Sequence, residues 1–277
     1  MKKVWCLFCT VIALLCFTSC ENTPDEKYFF VAGHAYGNPN SPQYGLYPPL
    51  MTALEEIQLE TPLEMGFLTG DVVVQPTEAY WDSAMKDIES LDMPIYIAAG
   101  NHDKGEEFDR RFGKAYSSFI SDDDLFIILA PSNWNIEGEQ LRFLKNTLDD
   151  HSTSCQNIFL FIHELIWWHP DDVYGDIDIN WRPHFPGETN FWTEVSPLLI
   201  GLENEIYIFA GDLGATQSTS PYMYDQRENL HLIASGLGSG NRDNLLLVDY
   251  TDEEVHIHQY WLKEDGSMEI TDLIETH

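Results

Sequence analysis

Residues 94–103 read Pro-Ile-Tyr-Ile-Ala-Ala-Gly-Asn-His-Asp, and the architecture unfolds outward from them. Six apolar residues make a short buried strand. Gly100 lets the backbone turn sharply at its end. Asn101, His102 and Asp103 are then left beyond the carboxyl end of the strand. The same arrangement recurs along the chain. Tyr28 to Ala32 runs into Gly33-His34, Met65 to Thr69 into Gly70-Asp71, and Ile158 to Ile162 into His163-Glu164. Glu205 to Ala210 runs into Gly211-Asp212-Leu213-Gly214. Leu50 to Leu59, Ala79 to Leu91 and Gly138 to Leu148 have helical spacing, the last with Leu141, Leu144 and Leu148 on one stripe. His231 to Ala234, Asn244 to Asp249 and Val255 to Trp261 follow as strands without helices between them. Strands alternating with helices, then a strand-rich tail, predict an α/β sandwich.

In open α/β sheets ligands bind beyond the carboxyl ends of the strands. Asp, Asn and His placed there are oxygen and nitrogen donors for Mn, Fe or Zn. One such Asp ordinarily caps a turn. The weight lies in five polar groups in order, each after an apolar strand.

That ordered set resembles the calcineurin-like metallophosphoesterase family, from Tyr28 to about Tyr260. Gly100-Asn101-His102-Asp103 is the most specific piece, supported by Gly70-Asp71 upstream. Ala130-Pro131-Ser132 followed by the Gly138 to Leu148 helix resembles the family's middle segment. The resemblance implies a four-layer αββα sandwich of two mixed sheets. It also implies one or two divalent ions (Mn, Fe or Zn) that hold a phosphate mono- or diester and activate water. Asp71 would bridge the two metals, and Asn101 and His163 would bind the second. His102 would be the general acid, oriented by Asp103.

Two motifs depart from the family pattern. Its first, Asp-x-His, reads Ala32-Gly33-His34 here, and its last, Gly-His-x-His, reads Gly211-Asp212-Leu213-Gly214. Alanine and glycine side chains ligate nothing. Both losses fall on the first metal, which keeps His34 and Asp71. Asp212 stands where the second metal would have another His, and carboxylate is a competent ligand. The expectation is one strong metal position and one weak or empty one, with His34 left to contact phosphate or water. The rival expectation is a non-catalytic lipoprotein of this fold that binds an anionic glycan or a protein partner.

The beginning of the chain reads as an address. Lys2 and Lys3 precede an uncharged apolar run, Val4 to Phe17, and Thr18-Ser19-Cys20 closes it. This resembles a bacterial lipoprotein signal. Residues 1–19 would be removed, and Cys20 would carry lipid at the head of a tether, 20–27. Residues 28–277 would form the domain, anchored outside the cytoplasm in the periplasm or outer membrane. The composition has 46 Asp+Glu against 14 Lys+Arg, a net charge of -32. Such a surface repels nucleic acid. A small phosphoester or a phosphorylated glycan entering a metal-charged pocket escapes that objection.

The stretch from Trp167 to Trp192 has no periodicity and reads as a long loop, the kind that is often functional. His169, Asp171, Asp172, His184 and Glu188 are its candidate replacement ligands. Trp167 and Trp168 either stack on a sugar or base or pack beneath the loop. Asp176-Ile-Asp178-Ile-Asn180 begins like a calcium loop, but Trp181 and Gly187 occupy the positions that need Gly and Glu. Gly236-Leu-Gly238-Ser-Gly240 reads as a turn between strands closing over the site.

Overall fold

The computed structural model describes residues 26–251, 254–263 and 265–274. The segment expected to be a signal and Cys20 lie outside the described residues. Within them, the apolar runs before Gly33, Gly70, Gly100 and Gly211 are strands: β1 (Lys27–Ala32), β2 (Met65–Leu68), β3 (Ile95–Ile97) and, further on, β7 (Glu205–Ala210). Between them come α1 (Pro48–Glu60) and α2 (Glu78–Ser90). Pro48 and Pro49 start α1 where a missing N–H costs nothing. Leu50, Ala53, Leu54 and Ile57 then form its buried stripe.

Then follow α3 (Glu106–Phe112), β4 (Ser117–Ser121), β5 (Asp124–Ile128), α4 (Gly138–His151), β6 (Asn157–Phe161) and α5 (Ser196–Ile200). After β7 the elements among the described residues are all strands: β8 (Tyr222–Arg227), β9 (Leu230–Ser235), β10 (Asn244–Tyr250), β11 (Val255–Leu262) and β12 (Met268–Ile274). Among the described residues no helix is long and apolar enough to cross a membrane.

The strands form two six-stranded mixed sheets, ordered β12-β11-β10-β1-β2-β3 and β4-β5-β6-β7-β9-β8. In the first, β1, β2 and β3 are parallel. In the second, β5, β6, β7 and β9 are parallel. A phenylalanine-rich core lies between the sheets, with Phe29, Phe67, Phe126, Phe159, Phe161 and Phe209 buried in it. A second core packs α1 and α2 on the outer face of the first sheet. A third packs α4, α5 and the Trp167–Trp192 loop on the outer face of the second. This is the expected four-layer αββα sandwich.

Candidate active site

Both sets of parallel strands end at the same edge of the sandwich. His34 follows β1, Asp71 follows β2, and Asn101 and His102 follow β3. His163 follows β6 and Asp212 follows β7. Glycine makes the convergence possible. A Cβ on Gly100 would lie 2.4 Å from Asp71 Oδ1 and 2.9 Å from the His163 ring. Gly70, at φ +88°, leaves the space that the His163 ring fills. His34 and Asp71 themselves adopt left-handed backbone, at φ 53° and 51°. Such strain in non-glycine residues concentrates at functional sites.

The side chains form a chain of near-contacts. His34 Nε2 is 3.7 Å from Asp71 Oδ2, and His163 Nε2 is 3.4 Å from Asp71 Oδ1. Asp212 Oδ1 is 3.9 Å from the same His163 nitrogen. His163 Nδ1 lies 2.9 Å from the Thr69 carbonyl, to which it donates. That bond turns Nε2 toward the two carboxylates, where it is buried without a hydrogen-bond partner.

Asp103 does something other than the family role given to it above. Its carboxylate accepts from the backbone N–H groups of Val72, Val73 and Gly100. It thus splices the loops after β2 and β3 and does not hold the His102 ring. His102 Nδ1 lies 2.8 Å from the Val74 carbonyl and donates to it instead. The N–H of His102 also reaches Asp71 Oδ1, at 3.2 Å. Asp103 is fully buried beneath these loops, so it positions them rather than meeting a ligand.

The carboxylates and imidazoles of the site shift one another's protonation. Burial alone would lower the His163 pKa, but Asp71, Asp212 and Glu164 override it and hold it at about 9. Burial pushes Asp212 up to about 7, with Asp71 and Glu164 adding to the effect and His163 opposing it. Asp71 resists burial and stays low because His163, His34 and His102 surround it. Burial brings His34 down to about 4, so it is neutral at pH 7 with a lone pair to give.

The two metal positions implied by the sequence fare differently. Among the described residues no group of three or more His, Cys, Asp and Glu side chains closes into a ready cage. The second position still fits a cation by its donors. The unpartnered His163 nitrogen faces one oxygen of Asp71 and one of Asp212, and Asn101 lines the same cavity. The first position does not fit. Ala32 offers no donor, and Gly214 has φ +73° with the Gly236 carbonyl 2.5 Å from where its Cβ would be. The backbone occupies the place a ligand side chain would need.

A cavity of about 520 Å³ opens over this edge, with His34, Asp71, Asn101, His102 and Asp212 in its wall. Tyr36, Thr216 and Ser218 also line it, unmarked by the sequence, together with Asn180 and Trp181 from the stretch that only begins like a calcium loop. Tyr36 packs against both His34 and His102, at ring centroid distances of 4.4 and 5.3 Å. Asn180 Oδ1 accepts from Ala215 N, and its amide lies beside Asp212. Of the five loop candidates only His184 reaches the cavity. His169 is taken up by Gly187 O and Asp171 N, and Asp172 caps Tyr174. Trp167 and Trp168 are buried under the loop and pack there. The Gly236–Gly240 turn does close against the site, with Leu237 N donating to Gly33 O.

No family model matches the chain. No curated protein matches it either. Solved structures do. A dimetal phosphatase from Danio rerio aligns with a TM-score of 0.61 at 10% identity, over 84% of this chain and 95% of that one. PhoD aligns with a TM-score of 0.53 at 10% identity, over 92% of this chain and 73% of its own. At such identity the likeness is one of fold. Two mixed sheets, helices on both outer faces and polar groups gathered at one edge give this chain the metallophosphoesterase fold.

Proposed function

We propose that this chain is a cation-dependent phosphoesterase acting outside the cytoplasm, hydrolysing a phosphate mono- or diester with one cation position in place of two. The observation that carries the reading is the buried, unpartnered His163 Nε2 aimed at Asp71 and Asp212. The dimetal phosphatase of the same fold supports it. The location rests on the resemblance of residues 1–20 to a lipoprotein signal, with Cys20 as the anchor.

Asp71, Asn101, His163 and Asp212 would hold Mn, Fe or Zn. When bound, the cation supplies Lewis-acid polarisation of the phosphoryl group and makes water a better nucleophile at neutral pH. The protein's own groups do the rest. Neutral His34 offers a lone pair as a hydrogen-bond acceptor beside Asp71. His102 gives Nδ1–H to Val74 O, which fixes the ring and leaves Nε2 to carry a proton to the departing oxygen. Asp103 keeps the Asp71 and His102 loops in register through three backbone bonds.

The test pairs elemental analysis of residues 21–277, dialysed without chelator, with turnover of an aryl phosphomonoester and an aryl phosphodiester. About one tightly held transition metal per chain and metal-dependent turnover are expected. Metal without turnover would favour the second reading, binding of an anionic glycan or protein partner without hydrolysis. The closed position at Gly214 is the observation behind that second reading.

A further inference from the structure

The cavity is far larger than a phosphate group, at about 520 Å³. Its buried end holds His34, Asp71 and Asp212. Its exposed end is made of different chemistry: Trp181, His184, Asn40, Thr216 and Ser218. We propose that this exposed end is a subsite for a neutral sugar ring, the alcohol half of the phosphoester, resting on the phosphoesterase reading above.

The first observation is Trp181. It is 57% exposed, while Trp167 and Trp168 in the same loop are buried. An indole left open at the mouth of a polar cavity presents an apolar face to the C–H face of a pyranose. The second is the set of neutral donors and acceptors on the same cavity. Thr216 Oγ1 and Ser218 Oγ are 2.9 Å apart and held by a tight turn, with Thr219 Oγ1 donating to Thr216 O. On a separate turn, the Asn38 side chain accepts from Asn40 N. Hydroxyls and amides of this kind match sugar hydroxyls.

The third observation is what the wall lacks. No Lys or Arg lines the cavity among the described residues. Arg182, next to Trp181, lies instead over the Trp168 ring at 5.3 Å. A leaving group with further phosphates would meet no compensating charge in a chain of net -32. A purine is poorly served too. His184 meets Trp181 edge-on, at 66° and 6.0 Å, so the two rings form no slot for a flat base. Tyr36 meets His34 and His102 in tilted contacts, at interplanar angles of 49° and 55°.

Calorimetric titration of the Mn-loaded full chain tests this with ligands that cannot be hydrolysed: methylphosphonate, a glucose phosphonate and an adenosine phosphonate. The glucose compound is expected to bind about tenfold more tightly than methylphosphonate, the size of one good aromatic contact with hydrogen bonds. Trp181→Ala should shrink that ratio to about twofold, and Trp181→Phe should keep most of it. Equal binding of glucose phosphonate and methylphosphonate overturns the subsite. So does tighter binding of the adenosine compound, or a glucose preference that survives Trp181→Ala. Failure of methylphosphonate to bind in a Mn-dependent way overturns the phosphoesterase reading and this inference with it.

Discussion

The Gly236 carbonyl lies 2.5 Å from where a Cβ on Gly214 would stand, and Gly214 holds φ +73°. The missing ligand of the first position is therefore built into the backbone. Restoring the family residues should not restore the metal. Ala32→Asp with Gly214→His is expected to leave the metal content near one per chain by elemental analysis. Gly214→Ala alone should cost about 2–4 kcal/mol of stability in chemical denaturation, from left-handed strain plus the overlap. A doubly mutated chain holding two metals would show that the loop gives way.

His102, the proposed acid, is anchored through Nδ1 at the Val74 carbonyl. His102→Gln is expected to lower kcat on a poor leaving group by about 10²–10³, with metal content unchanged. An activated aryl ester, whose leaving group needs little protonation, should lose far less. Equal losses on both esters would assign His102 a binding role.

Phe29 is the centre of the intersheet core. Its ring meets those of Phe67, Phe126, Phe159, Phe161, Phe209 and Tyr250, all between 5.2 and 6.2 Å and all edge-on. Phe29→Ala should cost about 3–5 kcal/mol, read as a shift in denaturant midpoint with little change in slope. Phe29→Leu should cost less, because it leaves a smaller cavity.

His258 provides a pH dependence away from the site. On β11 it stands directly across from Asp272 on β12 and diagonally to Asp249 on β10. Nε2 is 2.6 Å from Asp249 and Nδ1 is 2.6 Å from Asp272. Both nitrogens must donate, so the imidazolium is favoured. The Asp249 bond, against opposing burial and with help from Asp272, raises the His258 pKa above its ordinary value. A raised folded pKa stabilises the protein below the unfolded value, about 6.5, and the gain is lost as pH rises through the folded value. His258→Gln should lower Tm more at pH 6 than at pH 9. An NMR titration of His258 with a midpoint below 6.5 would contradict this.

Most of what was legible in the sequence is buried on both sides; β3 is the exception, a half-buried sheet edge that read through its apolar run and the Gly100-Asn101-His102-Asp103 turn. β1, β2, β6 and β7 read as apolar runs because each lies inside a sheet between two cores. β4, β8 and β12 were not marked, since they are sheet edges with polar, half-exposed residues. β5 is fully buried, but its start lies in the acidic run Asp122–Asp124, which masks the apolar signal. α3 buries only Phe108, yet its acids in the first turn and arginines in the last are a helix signature that was there to use. In the site, strand-end residues were readable because topology alone brings strand ends together. Tyr36, Asn180 and Trp181 come from loops without period, and their place follows from tertiary packing.

The His163–Thr69 hydrogen bond joins an imidazole from one sheet to a carbonyl of the other. The site is accordingly a keystone set across the seam of the sandwich. A ligand gripped by Asp71 and His163 braces the two halves, and by mass action its binding energy becomes folding energy. The reverse also holds: a slip of the phenylalanine seam changes the span of the keystone, so remote core substitutions are expected to alter affinity for the proposed cation.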